Sequence, residues 1–178
     1  MEGLQNPVEK YGEMGWAFSL ARKDNILTYT WEMPRELEIQ HVLEIYSKEQ
    51  VALFYILRPY FSNFRFGKPD NPDAVAIAYI NERSDYPGIE NVITSVEQID
   101  AIWQRDFSDE ADWRDTSDRF GLPGYLDEIA IRSNQARDEH FVRVIIDLVQ
   151  KGERVFAIAG SSHAVKLEPA LQATFPSE

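Results

Sequence analysis

The stretch that decides the fold of this chain runs from Arg154 to His163 and reads RVFAIAGSSH. Its first half is a short apolar run rich in β-branched and aromatic residues, which is typical of a buried strand. The run stops at Gly160, a histidine follows three residues later, and helical periodicity extends from Val165 to Thr174. Open α/β sheets bind ligands where a strand ends in a turn and feeds a helix. The stretch therefore predicts an α/β fold with a functional site at His163. The alternative is a solvent-exposed histidine in a βα turn.

A second strand is predicted at Ile26–Trp31, which is also rich in β-branched and aromatic residues. Glu32 follows it, and Pro34 suits an early position of the next helix. The rest of the chain is mainly helical, with helices predicted at residues 12–23, 35–62, 74–83, 95–106 and 125–151. Pro59 is expected to end or kink the second of these helices.

Two strands are too few for a stable sheet. Either a weak strand is hidden in the chain, or strands are supplied from outside it. The sequence therefore predicts a helix-rich α/β domain over residues 1–178. It has a small central sheet, flanking helices and a mainly helical insertion at residues 35–123. The sheet is expected to be incomplete or completed by oligomerisation.

Composition excludes several classes of function. The 178-residue chain has a net charge of −12, which argues against nucleic-acid binding and against docking on anionic membranes. It has no cysteine, so disulfides, thiolate zinc sites and cysteine nucleophiles are excluded. No run approaches the roughly 18 apolar residues of a membrane span. The N-terminus lacks basic and apolar signal regions, so a cytoplasmic location is expected.

Three side chains are the main candidates for chemistry. His163 would lie at the strand-to-helix turn, and Glu32 would share that geometry at the end of the first strand. Glu32 could be a general base, a metal ligand or a helix N-terminal charge. Arg137 could clamp a carboxylate or stabilise an oxyanion, or it could be a surface charge paired with Asp138 or Glu139.

Other motifs are absent or have simpler interpretations. The chain has no glycine-rich phosphate loop and no Gly-x-Ser-x-Gly elbow. The acidic run at residues 106–118 lacks the spacing and the glycine of an ion-binding loop, so it is interpreted as a solvated face. His41 and His140 have no ligand partner at four-residue spacing and are treated as structural or surface residues.

One family resemblance involves several of these residues. Residues 137–141, RDEHF, precede a helix, Gly152, an apolar run and Gly-Ser-Ser-His. This order resembles the end of the TraB/GumN/Tiki superfamily, which is related to the erythromycin esterase and ChaN-like proteins. Residues 12–21 and 26–34 also resemble a helix, a strand and a turn of that family. The resemblance covers nearly all of the chain.

The resemblance also implies what this chain lacks. The family has an earlier Gly-x-x-His motif, which is missing here, whereas the start Met1-Glu2-Gly3 resembles the Glu-Gly that follows a family strand. The chain would then begin where a first βαβ portion should have ended. A truncated gene, a misassigned start and a pseudo-enzyme are all consistent with this.

The family site implies roles for four residues. His163 would be a metal ligand or general acid–base, and Glu2 would be its partner carboxylate and the second metal ligand. Arg137 would orient or stabilise the substrate anion, and Glu32 would line the site. One divalent metal (Mn, Co or Zn) is implied for the peptidase-like members, and none for a metal-free esterase-like site.

Three functions follow as hypotheses. The first is a hydrolase that acts on a small-molecule or peptide substrate at a peptide, ester or lactone bond. The second is a non-catalytic domain of the same fold that binds a small ligand or metal. The third is a structural partner subunit, and a homo-oligomer is possible in this case. Nucleic-acid and membrane partners are not expected.

Overall fold

The computed structural model describes residues 7–175, and these residues form α-helices and short 3-10 turns but no β-strand. None of these helices is long and apolar enough to cross a bilayer. The helices are α1 Pro7–Lys23, α2 Arg35–Leu43, α3 Lys48–Asn63, α4 Pro72–Arg83, α5 Val96–Asp106, α6 Tyr125–Gln150 and α7 Ser161–Thr174. The 3-10 turns are Phe64–Phe66 and Trp113–Asp115.

The predicted α/β fold with a small central sheet is wrong. Residues 26–31 and 154–159, the two predicted strands, lie outside any helix or strand. They are linked by a side chain, because the Trp31 indole Nε1 donates to the Ile158 carbonyl at 3.1 Å, and no backbone ladder joins them within the described range. A strand is stable only when neighbouring strands complete its hydrogen bonds. Apolar composition alone did not make these segments strands.

The chain forms two compact units. The central unit is Met33–Arg137, and the terminal unit holds the described residues up to Glu32 and from Asp138 onward. Helix α6 therefore contributes its first half to the central unit and its second half to the terminal unit. The insertion predicted at residues 35–123 falls within the central unit.

The central unit contains a continuous hydrophobic core between residues 39 and 129. Helix α3 is its centre, since Val51–Leu57 is buried on every side. The long helix predicted at 35–62 is two helices, α2 and α3. Ser47 separates them with a capping box, in which its hydroxyl accepts from the Gln50 N–H and the Gln50 side chain accepts from the Ser47 N–H.

Pro59 lies inside α3 and does not end the helix. The backbone carbonyl that it deprives of a helical hydrogen bond has another donor. A proline has no N–H, so the carbonyl four residues earlier, that of Tyr55, loses its helical partner. The Arg83 guanidinium of α4 donates to this carbonyl instead. A long-range contact thus satisfies the group that proline leaves free, and α3 continues to Asn63.

The acidic run at residues 106–118 is only partly a solvated face. Arg114 lies within it and binds Asp100 through two guanidinium nitrogens, at 2.7 and 3.0 Å, and Asp73 at 2.6 Å. Trp113 is buried beside it, whereas Phe120 is 92% exposed. The run therefore contributes Trp113 to the core, and Arg114 ties it to Asp73 of α4 and Asp100 of α5.

Candidate functional site

His163 lies in the first turn of α7, as the third residue of that helix. Gly160 is the N-cap, and its carbonyl accepts from the His163 N–H at 3.0 Å. The helix thus begins at Ser161, four residues before the start that the periodicity indicated. His163, which was predicted to lie in a turn, is a helical residue, so the helix determines the direction of its side chain.

The His163 ring is paired with a carboxylate. Nδ1 of His163 contacts Oδ1 of Asp138 in a very short polar contact. Asp138 lies in the second half of α6 and is 9% exposed. An ionised carboxylate only accepts hydrogen bonds, so the proton of the neutral imidazole is assigned to Nδ1. Nε2 then carries the lone pair, and it has no hydrogen-bond partner between residues 7 and 175.

Asp138 has a second cationic neighbour. Lys166 Nζ lies 3.8 Å from Asp138 Oδ2, and Lys166 is one turn after His163 on α7. The two carboxylate oxygens of Asp138 thus face different partners from the same helix. The side chain of His163 is 20% exposed and that of Lys166 is 61% exposed, so the imidazole is partly open to solvent.

Trp31 positions the imidazole from a third segment. Its ring stacks on Phe141 of α6, with centroids 4.3 Å apart and planes 12° apart. It also lies 5.4 Å from the His163 ring at a tilt of 58°. Its Nε1 hydrogen bond to Ile158 ties it to the segment before α7. The indole thus holds α6, the 153–160 segment and His163 in one arrangement.

An apolar groove of about 520 Å³ begins next to this pair. Ala159 and Ala164, which flank the start of α7 around His163, line it together with Phe141 and Leu167. Its remaining lining residues are Ile145, Phe156, Ala157, Ile158, Glu168, Leu171 and Gln172. A groove of this size and composition accommodates an apolar group of a small molecule or peptide.

The other predicted site residues have different positions. Glu32 follows Trp31 directly, is exposed, and lies in an irregular segment and not at a strand end. Arg137 immediately precedes Asp138 on α6, is partly buried, and belongs to the central unit. Glu2 lies outside the described residues. His41 and His140 are partly buried residues of α2 and α6.

Asp138 is the site residue that sequence reasoning missed. It was considered only as a possible ion-pair partner of Arg137, its neighbour in sequence. Adjacent helical residues point about 100° apart, so they do not face each other. That geometry could have assigned Asp138 to a different partner, although it could not have identified His163, which is 25 residues away.

The described residues do not contain a group of three or more side chains suited to a metal ion. His163 offers one imidazole nitrogen with a carboxylate behind it, which is the usual outer support of a metal-bound histidine. A catalytic metal site needs about three protein ligands. The described residues therefore do not by themselves fit the implied metal.

Comparisons of the chain with protein-family models, with curated proteins and with solved structures gave no match. The geometry of Asp138 and His163 is therefore the main indication of function. A carboxylate-oriented imidazole with an accepting Nε2 can remove a proton from water and return it to a leaving group.

Proposed function

We propose that this chain is a hydrolase that cleaves an ester, lactone or peptide bond with a water molecule activated by His163. The carboxylate–imidazole pair of Asp138 and His163 is the observation that carries the proposal. The resemblance of its C-terminal segment to the TraB/GumN/Tiki superfamily supports the same reaction class. The cytoplasmic location expected from the sequence stays a prediction.

The proposed reaction assigns one role to each group. His163 Nε2 accepts a proton from water as the water oxygen attacks the carbonyl carbon. Asp138 stabilises the imidazolium that forms and keeps the proton on Nδ1. The imidazolium then protonates the leaving oxygen or nitrogen, and the acid product leaves. The apolar groove beside α7 holds the acyl or side-chain portion of the substrate. The roles expected for Arg137, at the substrate anion, and for Glu32, at the site wall, stay predictions.

The test is hydrolysis of p-nitrophenyl esters of increasing acyl length, with an apolar lactone and a peptide added. His163→Ala should lower kcat/KM by about a hundredfold or more, since general-base catalysis contributes at least that much. Asp138→Asn should keep the shape of the pair but lose the charge that orients it, and should also lower kcat. His140→Ala, on the same half of α6, is the control and should retain the wild-type rate.

Two results would overturn the hydrolase proposal. One is a His163→Ala protein with the wild-type rate, and the other is a wild-type protein that hydrolyses none of these substrates. The metal expected from the resemblance is tested on the same samples, since a metal bound through His163 should be lost with the alanine variant.

The non-catalytic alternative is supported by the groove itself. A binding domain would take an apolar ligand beside α7 without turnover, and Leu171→Asp, at a partly exposed position of the groove, should then abolish binding. A structural partner subunit is favoured by the exposed apolar side chains of the terminal unit, among them Trp16, Leu27 and Phe156. Light scattering at increasing concentration tests whether a second copy covers them.

A further inference from the structure

The apolar groove beside α7 is elongated. The residues of α7 that line it occupy positions i, i+3, i+4, i+7 and i+8 of that helix, and they are Ala164, Leu167, Glu168, Leu171 and Gln172. Side chains at this spacing share one face of a helix, so the lining extends along two turns of α7. From Ala164 to Leu171 the helix rises by about 10 Å. The groove is therefore suited to a long, narrow group.

The groove begins at the candidate catalytic pair. On α6, the lining residues Phe141 and Ile145 lie one and two turns after Asp138. On α7, the lining starts at Ala164, the residue after His163. The two helices meet at the pair, because His163 contacts Asp138, and in each helix the lining residues come after it in the chain. A carbonyl group at the imidazole would therefore lie at one end of the groove, with its acyl chain along the two helices.

Several apolar side chains of the groove are open to solvent. Phe156 is 85% exposed, and Ile145 and Leu171 are partly exposed, whereas Phe141 and Leu167 are buried. Large apolar side chains that face water at a concave surface are typical of a ligand-binding groove. Each methylene group that enters the groove should strengthen binding, because it leaves water and covers some of this surface.

The charges of the groove favour a neutral chain. Glu168 is the one charged side chain among the described lining residues. Its Oε1 accepts from Gln172 Nε2 at 2.9 Å, and no cation pairs with it between residues 7 and 175. The nearby Lys166 is paired with Asp138. A free fatty acid would bring a second carboxylate beside Glu168, in a protein whose net charge is −12, and like charges repel. A neutral ester avoids this cost.

We propose that the groove binds a linear apolar chain of medium length, about eight carbons, as the acyl group of a neutral ester. An extended chain advances about 1.2 Å per bond, as the peptide backbone does, so about eight bonds span the length lined by α7. The inference rests on the proposed hydrolase and names the substrate class of that site. The pair and the groove both belong to the terminal unit.

The kinetic test is the dependence of hydrolysis on chain length. Among p-nitrophenyl esters, kcat/KM should be highest for the octanoyl ester, about tenfold or more above the acetyl ester, and should fall again for the dodecanoyl ester, whose chain exceeds the groove. Leu171→Trp and Ile145→Trp fill the part of the groove farther from the pair. Each should lower the octanoyl-to-acetyl ratio of kcat/KM by about tenfold or more. If one of them is unfolded by circular dichroism, the other decides.

A matched control uses the same helix and the same new side chain. Val165 is 71% exposed on α7 and is not a lining residue. Val165→Trp should therefore keep the wild-type octanoyl-to-acetyl ratio. An equal fall in Val165→Trp and Leu171→Trp would mean that the ratio does not depend on the groove, and would overturn the proposal.

Binding without turnover separates this inference from the hydrolase. Heptyl methyl ketone is a neutral octanoyl analogue that cannot be hydrolysed. It should displace the neutral dye N-phenylnaphthylamine from the wild type and from His163→Ala alike, and Leu171→Trp should bind it about tenfold more weakly. Sodium octanoate should also bind about tenfold more weakly than the ketone, and Glu168→Gln should reduce that difference.

The two proposals fail in different ways. Ketone binding without ester hydrolysis would support the groove and overturn the hydrolase. Hydrolysis that requires His163 but proceeds equally with acetyl and octanoyl esters would overturn the groove and keep the hydrolase. Tighter binding of cyclohexyl methyl ketone, a compact ring, would also overturn the linear chain. So would a dimer, detected by light scattering, that Leu171→Asp dissolves, because a second copy would then occupy the groove.

Discussion

At the scale of single residues, the buried carboxylate of Glu38 is the polar contact that joins three helices of the central unit. It lies on α2, and its partners are Arg35 on the same helix, Tyr55 on α3 and Ser133 on α6. Tyr55 is affected in return, since burial and the adjacent Glu38 charge raise the pKa of its hydroxyl. A buried charge is tolerated only when its hydrogen bonds are complete.

Glu38→Gln should destabilise the protein by about 2 kcal/mol, because a neutral amide accepts weaker hydrogen bonds and has one acceptor oxygen instead of two. The free energy of urea unfolding measures this loss. Glu36→Gln, on the exposed side of the same helix, is the matched control and should stay within about 0.5 kcal/mol of wild type. Equal stabilities for the two variants would show that the contact contributes little.

The candidate site shows what single residues in a sequence can and cannot indicate. His163 was singled out because a predicted strand ended at Gly160 and fed a helix; the helix is present, whereas the strand is not. Asp138 and Trp31 were not found as its partners. Both contacts join distant parts of the chain, and no local pattern encodes which carboxylate or ring will reach the imidazole.

At the scale of elements, the helices were predictable and the strands were not. The predicted α6 ends within one residue of the observed Gln150, because Gly152 and the apolar stripe give local signals. The break between α2 and α3 was missed because an apolar stripe continues through it, although Ser47 and Gln50 have the spacing of a capping box. The apolar runs at 26–31 and 154–159 have strand composition, but a strand depends on partners elsewhere.

The contact between α5 and the Trp113–Asp115 turn predicts a pH dependence. Hydrogen bonding to Arg114 lowers the pKa of Asp100 below its usual 3.8, with burial opposing and Trp113 assisting. Because the folded-state pKa is depressed, the contribution of Asp100 to stability is full above pH 3.8 and is lost as the pH falls through the folded-state value.

Asp100→Asn should therefore cost about 1 kcal/mol at neutral pH, a value reduced by the solvent exposure of this carboxylate. The difference from wild type should shrink as the pH falls below 3.8. Urea unfolding across this pH range measures both effects. Asp109→Asn, in the exposed part of the same acidic run, is the control and should show little change. A constant difference between Asp100→Asn and wild type at every pH would refute the ion-pair explanation.

At the scale of the whole molecule, apolar burial is uneven between the two units. The continuous core lies between residues 39 and 129, within the central unit. In the described part of the terminal unit, the large buried apolar side chains are Phe141 and Leu167. Local stability follows local burial, because opening a segment costs the free energy of the contacts that it loses. The terminal unit should therefore open far more often than the central unit.

Hydrogen exchange measured by mass spectrometry tests this difference along one continuous helix. Amides of α6 before Arg137 should exchange slowly, at rates close to those of α3, because they are anchored by buried residues such as Leu126 and Ile129. Amides of α6 after Asp138 should exchange faster, together with those of α7. Uniform protection along α6 would mean that the two units open as one. A ligand of the groove beside α7 should slow exchange only in the second half of α6 and in α7.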